Sequence, residues 1–184
     1  MRVAALFDIH GNLPALEAVL QDARESGADR VVVGGDVIPG PMPREALSRL
    51  LNLDLPVQFI HGNCELSVLA QMAAGESGTP SYWGTVTGQP LPERDLKNIR
   101  WSAQQLGPET QPVLARWPKT LRLDIDGMGK VLFCHGTPRS ETEVFLRTTA
   151  EERLRPLFDP WTWISSCAAT RTCRSIAAWG ERAS

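Results

Sequence analysis

The stretch Arg2 to Asn12, RVAALFDIHGN, changes character midway. Arg2 to Phe7 is a run of apolar and β-forming residues; Asp8-Ile9-His10-Gly11-Asn12 follows at once. A short apolar run bounded by turn residues reads as a strand buried on both faces. Asp8 and His10 are two residues apart, so on an extended segment both side chains point to one side. A carboxylate beside an imidazole suits a borderline divalent metal such as manganese, iron or zinc.

Working outward, the same pattern repeats. Asn12 can cap a following helix, with Pro14 in its first turn and Leu16, Val19, Leu20 and Ala23 at helical spacing. Gly27 marks its stop. DRVVVGGD, residues 29–36, is a second buried strand, PGPMP a turn, and Ala46, Leu47, Leu50 and Leu51 mark a second helix. PVQFIHGN, residues 56–63, is a third strand, followed by a helix over Glu65 to Ala74. Strand, helix, strand, helix, strand implies right-handed crossovers and a parallel sheet. In such sheets ligands bind beyond the carboxyl ends of the strands. Asp8-x-His10, Gly35-Asp36 and Gly62-Asn63-Cys64-Glu65 stand at those ends.

Gly75 to Pro92 is rich in Gly, Pro, Ser and Thr and reads as a loop or insertion. Arg94 to Leu106 reads as a helix with Trp101 on its apolar side, and Gln111 to Arg116 as a short one. TLRLDIDGMGKVLFCHG, residues 120–136, reads as a β-hairpin around Asp-Gly-Met-Gly, its second strand ending in His135. By alternation Cys134 points away from His135, into a core. Residues 148–159 read as a helix, with Thr149 as cap and Glu152 three residues on.

These clusters, in order and spacing, resemble the calcineurin-like metallophosphoesterases over about residues 1–160. GGDVIPGPMP and HGTPRS look closest to the small bacterial and archaeal phosphodiesterase-like members. The resemblance implies an α/β fold, a four-layer α-β-β-α sandwich, with two divalent metals. Manganese is the first choice, with iron, nickel or zinc as alternatives. Carried over by position, Asp8 and His10 hold the first metal, Asn63 and His135 the second, and Asp36 bridges them. Asp36, Asn63, Cys64 and Glu65 fall in the implied catalytic set. The implied reaction is hydrolysis of a phosphate mono- or diester by a hydroxide activated by both metals. A non-catalytic binding scaffold on the same fold is the alternative. The glycine spacing of a dinucleotide loop is not supplied by GGDVIPG.

Many members carry His where Cys64 stands. Cys64 is a poor proton donor unless its pKa is shifted, and otherwise a small packing residue. Arg139 could hold a substrate phosphate or lie on the surface. His61 reads as a structural strand-end residue.

The family also implies a Gly-His-x-His motif after a later strand, but the histidines stand only at positions 10, 61 and 135. Where the motif is due, the chain reads WISSCAATRTC, residues 163–173. Read one base earlier, codons compatible with Trp163 to Cys173 can encode Asp-Leu-Val-Val-Cys-Gly-His-Thr-His-Val. Continuing through Gly180 they give Pro-Phe-Asp-Arg-Arg-Val-Gly. The expectation is a change of reading frame near Asp159 to Trp163. Residues 1–160 then form a truncated metallophosphoesterase domain, and 161–184 an out-of-frame tail, non-native or disordered. The second sheet is then incomplete, and activity impaired.

The composition is ordinary for a globular protein of 184 residues, at 42% hydrophobic and 22% charged. A net charge of -2 supplies no basic field for nucleic acid, and the apolar runs are too short to span a membrane. The four cysteines show no C-x-x-C pairing, and the first residues read as a strand rather than a signal peptide. The expected setting is the cytoplasm, the expected partner a small phosphorylated substrate. Oligomeric state stays open.

Overall fold

The computed structural model describes residues 1–75, 91–146, 148–158 and 164–169. Strands β1 (Val3–Leu6), β2 (Arg30–Val33) and β3 (Val57–Phe59) form a parallel sheet in that order. Val3 faces Arg30, Leu6 faces Val33, and Val33 faces Phe59. Helices α1 (Leu13–Glu25), α2 (Pro43–Leu51) and α3 (Asn63–Ala74) follow the three strands. Asn12 caps α1 as expected: the Ala15 N–H donates to its Oδ1 at 3.2 Å.

Period-two alternation sorts the sheet's side chains into two layers. Val31 and Val33 face the helices, packing with Leu16, Leu20, Ala46, Leu47, Leu50 and Val68. Helix α4 (Glu93–Gln105) closes that layer through Ile99, and α5 (Gln111–Ala115) through Leu114. Trp117 stacks on Phe59 with ring centroids 4.6 Å apart. Val32 points the other way, into a second core with Ile60, Ile125, Val131 and Phe133.

That second core is the seam between two sheets. β4 (Thr120–Ile125) and β5 (Gly129–His135) form the expected antiparallel hairpin. Its turn places Gly127 and Gly129 at φ of 80° and 72°, a region that L side chains rarely adopt. On the far face of β5, Cys134 packs with Phe145, Leu157 and Phe158; the last two belong to α6 (Glu151–Phe158). Helices, sheet, sheet and helix make the four-layer α-β-β-α sandwich.

Several details differ from the sequence reading. Trp101 is 40% exposed. Successive helical residues turn by about 100°, so Trp101 lies roughly opposite the buried Ile99. Val19 and Leu51 are exposed too, because α1 and α2 bury narrower stripes than expected. The Thr149 hydroxyl accepts from Leu146 N–H at 2.8 Å, closing a turn ahead of α6 rather than capping it.

Within the expected tail, Ile164–Ala169 forms strand β6 parallel to β5, from Lys130↔Ile164 to His135↔Ala169. Among the described residues the second sheet has three strands, in the order β4-β5-β6. The physical reason is the edge of β5, whose backbone groups need partners that a neighbouring strand supplies. The rest of 161–184, and residues 76–90 of the expected loop, lie outside the described residues.

Phe133 is 3% exposed between the sheets. Truncation there leaves a cavity that packed layers cannot fill, so Phe133→Ala should cost about 3–5 kcal/mol in urea unfolding. A loss under 1 kcal/mol would mean that the two sheets do not share this core.

Candidate metal centre

Beyond the last paired residues of β1 and β2, the backbone stays zipped. Asp8 N–H donates to Gly35 O at 3.2 Å, His10 N–H to Asp36 O at 2.9 Å, and Gly11 N–H to Val37 O at 2.7 Å. The segment is not extended, as the sequence reading assumed. Asp8, His10 and Asp36 have φ of 54°, 46° and 56°, the left-handed region. Non-glycine residues there are strained, on the order of 1–3 kcal/mol each, and such strain gathers at functional sites. The unusual backbone still brings the expected side chains together.

Asp36 is the hub. It is buried, and its Oδ1 accepts from the Cys64 N–H at 3.0 Å. Its Oδ2 lies 3.8 Å from His10 Nε2 and 3.5 Å from His135 Nε2. His10 Nε2 is also 4.0 Å from Asp8 Oδ1. Among the described residues two donor sets result, His10–Asp36–Cys64 and Asp8–Asp36–His135, the ligand atoms of each within 4.8 Å of one another. Asp36 belongs to both.

The electrostatics fit a cation site. Burial lifts the Asp8 carboxyl above its usual range, and the Asp36 charge adds to it. Burial also opposes the Asp36 charge, but the hydrogen bond and charge of His135, then His10, hold its carboxyl below the ordinary value. Burial works against protonated His135, yet Asp36 and the Gly34 carbonyl push it up to about 9. The carboxylate that here draws on protonated His135 could draw on a metal ion instead. His135 Nδ1 lies 2.9 Å from Gly34 O. A donor Nδ1 leaves Nε2 as the ligand atom, a common outer support of metal-binding histidine. Sequence reasoning missed this carbonyl, because Gly34 and His135 are 101 residues apart.

Glu65 does something different from the catalytic part implied for it. It is fully buried at the third position of α3. Its Oε2 accepts from the N–H groups of Asp36 (2.8 Å) and Gly62 (2.7 Å), and its Oε1 from those of Val37 (2.8 Å) and Ile38 (3.2 Å). Burial, then the Asp36 charge, pushes Glu65 up to about 7, against backbone donors that favour its ionised form. Glu65 ties the loop after β2 to the loop after β3 and is a positioning residue. Gly62 makes the approach possible, since a Cβ there would collide with the Asp36 carboxylate.

Asn63 opens α3 beside the cluster, with Nδ2 3.4 Å from Cys64 Sγ. Cys64 stands closer to the chemistry than a packing residue, as a member of one donor set. Burial, then Asp36, pushes its thiol well above the usual value, so without a metal it is no ready proton donor. The Arg139 guanidinium turns to Glu143, with Nε to Oε2 at 2.8 Å and a second contact from Nη2 to Oε1. His61 keeps a structural position: its Nδ1 is 3.7 Å from Glu141 Oε1, and burial pushes its pKa down.

A rim of carboxylates and imidazoles at the ends of parallel strands, within a double-sheet sandwich, defines a metallophosphoesterase-type hydrolase fold. The chain belongs to the calcineurin-like phosphoesterase family, whose pattern matches residues 1–179. Phosphodiesterase YfcE of Escherichia coli is 35% identical over 77 residues, 37% of this chain and 42% of that protein. A solved metallophosphoesterase from Sphaerobacter thermophilus is 29% identical, with TM-score 0.52 over 77% of this chain and 49% of that one. The fold is also that of PH1004 from Pyrococcus horikoshii, at TM-score 0.71 and 20% identity, over 90% of this chain and 68% of that one. The chain spans about half the length of the curated relatives it matches. No helix among the described residues is long and apolar enough to cross a membrane.

Glu65→Gln puts an amide NH2 where backbone N–H groups need an acceptor. It should cost about 2–3 kcal/mol in stability and weaken metal binding about 10–100-fold, read by urea unfolding and by calorimetric titration with Mn²⁺. Unchanged metal affinity would remove the positioning role.

The raised pKa values also set a pH dependence for the metal-free protein. The His135 contribution is complete below its unfolded value of 6.5 and is lost as pH rises through about 9. Glu65 acts with the same sign, from 4.5 through about 7. Thermal stability in EDTA should therefore fall from pH 6.5 to 9, and His135→Gln should flatten that decline. A stability that rises over this range would contradict the assignment.

Proposed function

We propose that this chain is a phosphoesterase whose two divalent ions are held by Asp8, His10, Asp36, Asn63 and His135, and that it carries a shifted reading frame at its C-terminal end. The observation that carries the first part is the Asp36 carboxylate common to two donor sets. By family resemblance Asp8 and His10 would hold one ion and Asn63 and His135 the other, with Asp36 shared. The two donor sets group Asp8 with His135 and His10 with Cys64, and agree on Asp36 as the shared carboxylate. When bound, such a pair lowers the pKa of water and neutralises phosphoryl oxygens, which suits hydrolysis of a small phosphate mono- or diester. Manganese is the first choice of ion for this donor set, with iron, nickel or zinc next.

The chain's own groups prepare that chemistry. The Gly34 carbonyl orients His135. Glu65 holds the Asp36 loop in place. The Cys64 N–H engages one Asp36 oxygen and leaves the other facing the two histidines.

The register of β6 supports the frame reading. Ala169 pairs with His135, so β6 ends level with the rim. In the alternative frame, codons compatible with Ile164–Ala169 can encode Asp-Leu-Val-Val-Cys-Gly, a better strand than ISSCAA, with the two histidines of the motif next in line. Those imidazoles would start from the rim where the metals sit. Their loss from this chain leaves each ion one ligand short, which weakens binding and activity.

The test compares this chain with a frame-restored one, alongside the DNA across codons 155–184. Both should hydrolyse bis-(p-nitrophenyl) phosphate only with added Mn²⁺, the restored chain about 10–100-fold faster, and Asp36→Asn should abolish either activity. A restored chain that binds metal but hydrolyses neither mono- nor diesters would favour a binding scaffold. A gene with no frame that encodes the motif would end the frameshift reading.

A further inference from the structure

We propose that the cavity between the C-terminal half of α3 and α4 is a second ligand site, built for a compact small molecule that carries an oxyanion on a partly apolar body. The cavity holds about 270 Å³, near the lower end of ligand pockets, which run from about 300 Å³ upward. It starts about 12 Å along α3 from Asn63, at 1.5 Å rise per residue from position 63 to 71. The inference rests on none of the metal chemistry.

Arg100 carries the argument. It lines this cavity, and its Nε is buried with no hydrogen-bond partner among the described residues. No carboxylate among those residues pairs with it either. A guanidinium offers only donors and does not lose its charge, so its unpaired, buried Nε is unfavourable. Nε itself is shielded, so an oxyanion in the cavity would meet the terminal nitrogens of this half-buried side chain. Its planar fork matches a carboxylate or phosphate in two parallel bonds.

The rest of the wall sets the other half of the ligand. Met72, Ala103 and Pro108 supply apolar surface, and the Met side chain adapts to irregular shapes. Gln104 and Gln111 add amides that can donate or accept. Gln71 is buried, and its Nε2 donates to Gly75 O at 2.7 Å, which fixes the end of α3 as a wall. An apolar lining with a few convergent polar groups is the usual build of a small-molecule site.

Benzoate and phenylphosphonate, with neutral benzamide as control, are suitable probes for titration calorimetry on the full chain. Either anion should bind at concentrations up to about 10 mM, and benzamide should bind at least about tenfold more weakly. Whichever anion binds more tightly identifies the source as carboxylate or phosphate. Arg100→Gln should weaken binding about tenfold or more, and Ala103→Trp should block it by filling the cavity with Arg100 still present. Asp36→Asn, at the metal rim, should leave it unchanged. Thermal melts identify any variant that fails to fold, and the remaining variant then decides. Three results would overturn the site: neither anion binds, affinity is undiminished in a folded Arg100→Gln or Ala103→Trp chain, or binding is lost in a folded Asp36→Asn chain.

Discussion

One buried carboxylate holds the rim of this molecule in shape. Glu65 accepts four backbone N–H bonds, three from the loop after β2 and one from the start of α3. Asp36 gives Glu65 its own N–H while its side chain takes the N–H of Cys64. The two loops are thus laced in both directions. Each bond satisfies a donor that burial would otherwise leave unpaired, and such donors are costly to orphan. The carboxylate that shapes the site therefore keeps little acceptor capacity for a substrate.

The polar rim is possible because two apolar layers frame it. Val31 and Val33 anchor the first sheet to its helices, and Val32 anchors it to the second sheet. His135 reaches Gly34 and Asp36 because Phe133, two residues earlier on the same face of β5, packs in the inter-sheet core. Seam and site are thus adjacent parts of one face. A disturbance between the sheets would reach the histidine through the strand that carries both.

Much of this was legible in the chain itself. The strands announced themselves as apolar runs that end in polar clusters, and the order Asp8-x-His10, Asp36, His135 anticipates the side chains that stand close together at one rim. The parallel pairing of the first sheet and the hairpin around Gly127 also followed from pattern alone. What escaped was non-local or conformational. The left-handed backbone of Asp8, His10 and Asp36 leaves no mark in hydrophobic periodicity. Glu65 could be recognised at the start of a helix, but not that its oxygens cross to Val37 and Ile38. Trp101 was misplaced because one large apolar residue outweighed the stripe through Ile99 and Ser102. The strand at Ile164–Ala169 depends on the edge of β5 and not on its own weak propensity.

The left-handed positions at the rim narrow what evolution could write there. A glycine would relax the backbone but bring no ligand, and a β-branched side chain would fit the local conformation worst of all. Asparagine, aspartate and histidine are the side-chain-bearing residues that visit this conformation most readily. They are also residues with an oxygen or nitrogen to give to a cation. At Asp8, His10 and Asp36 the geometry of the main chain and the demand for a ligand select from the same short alphabet.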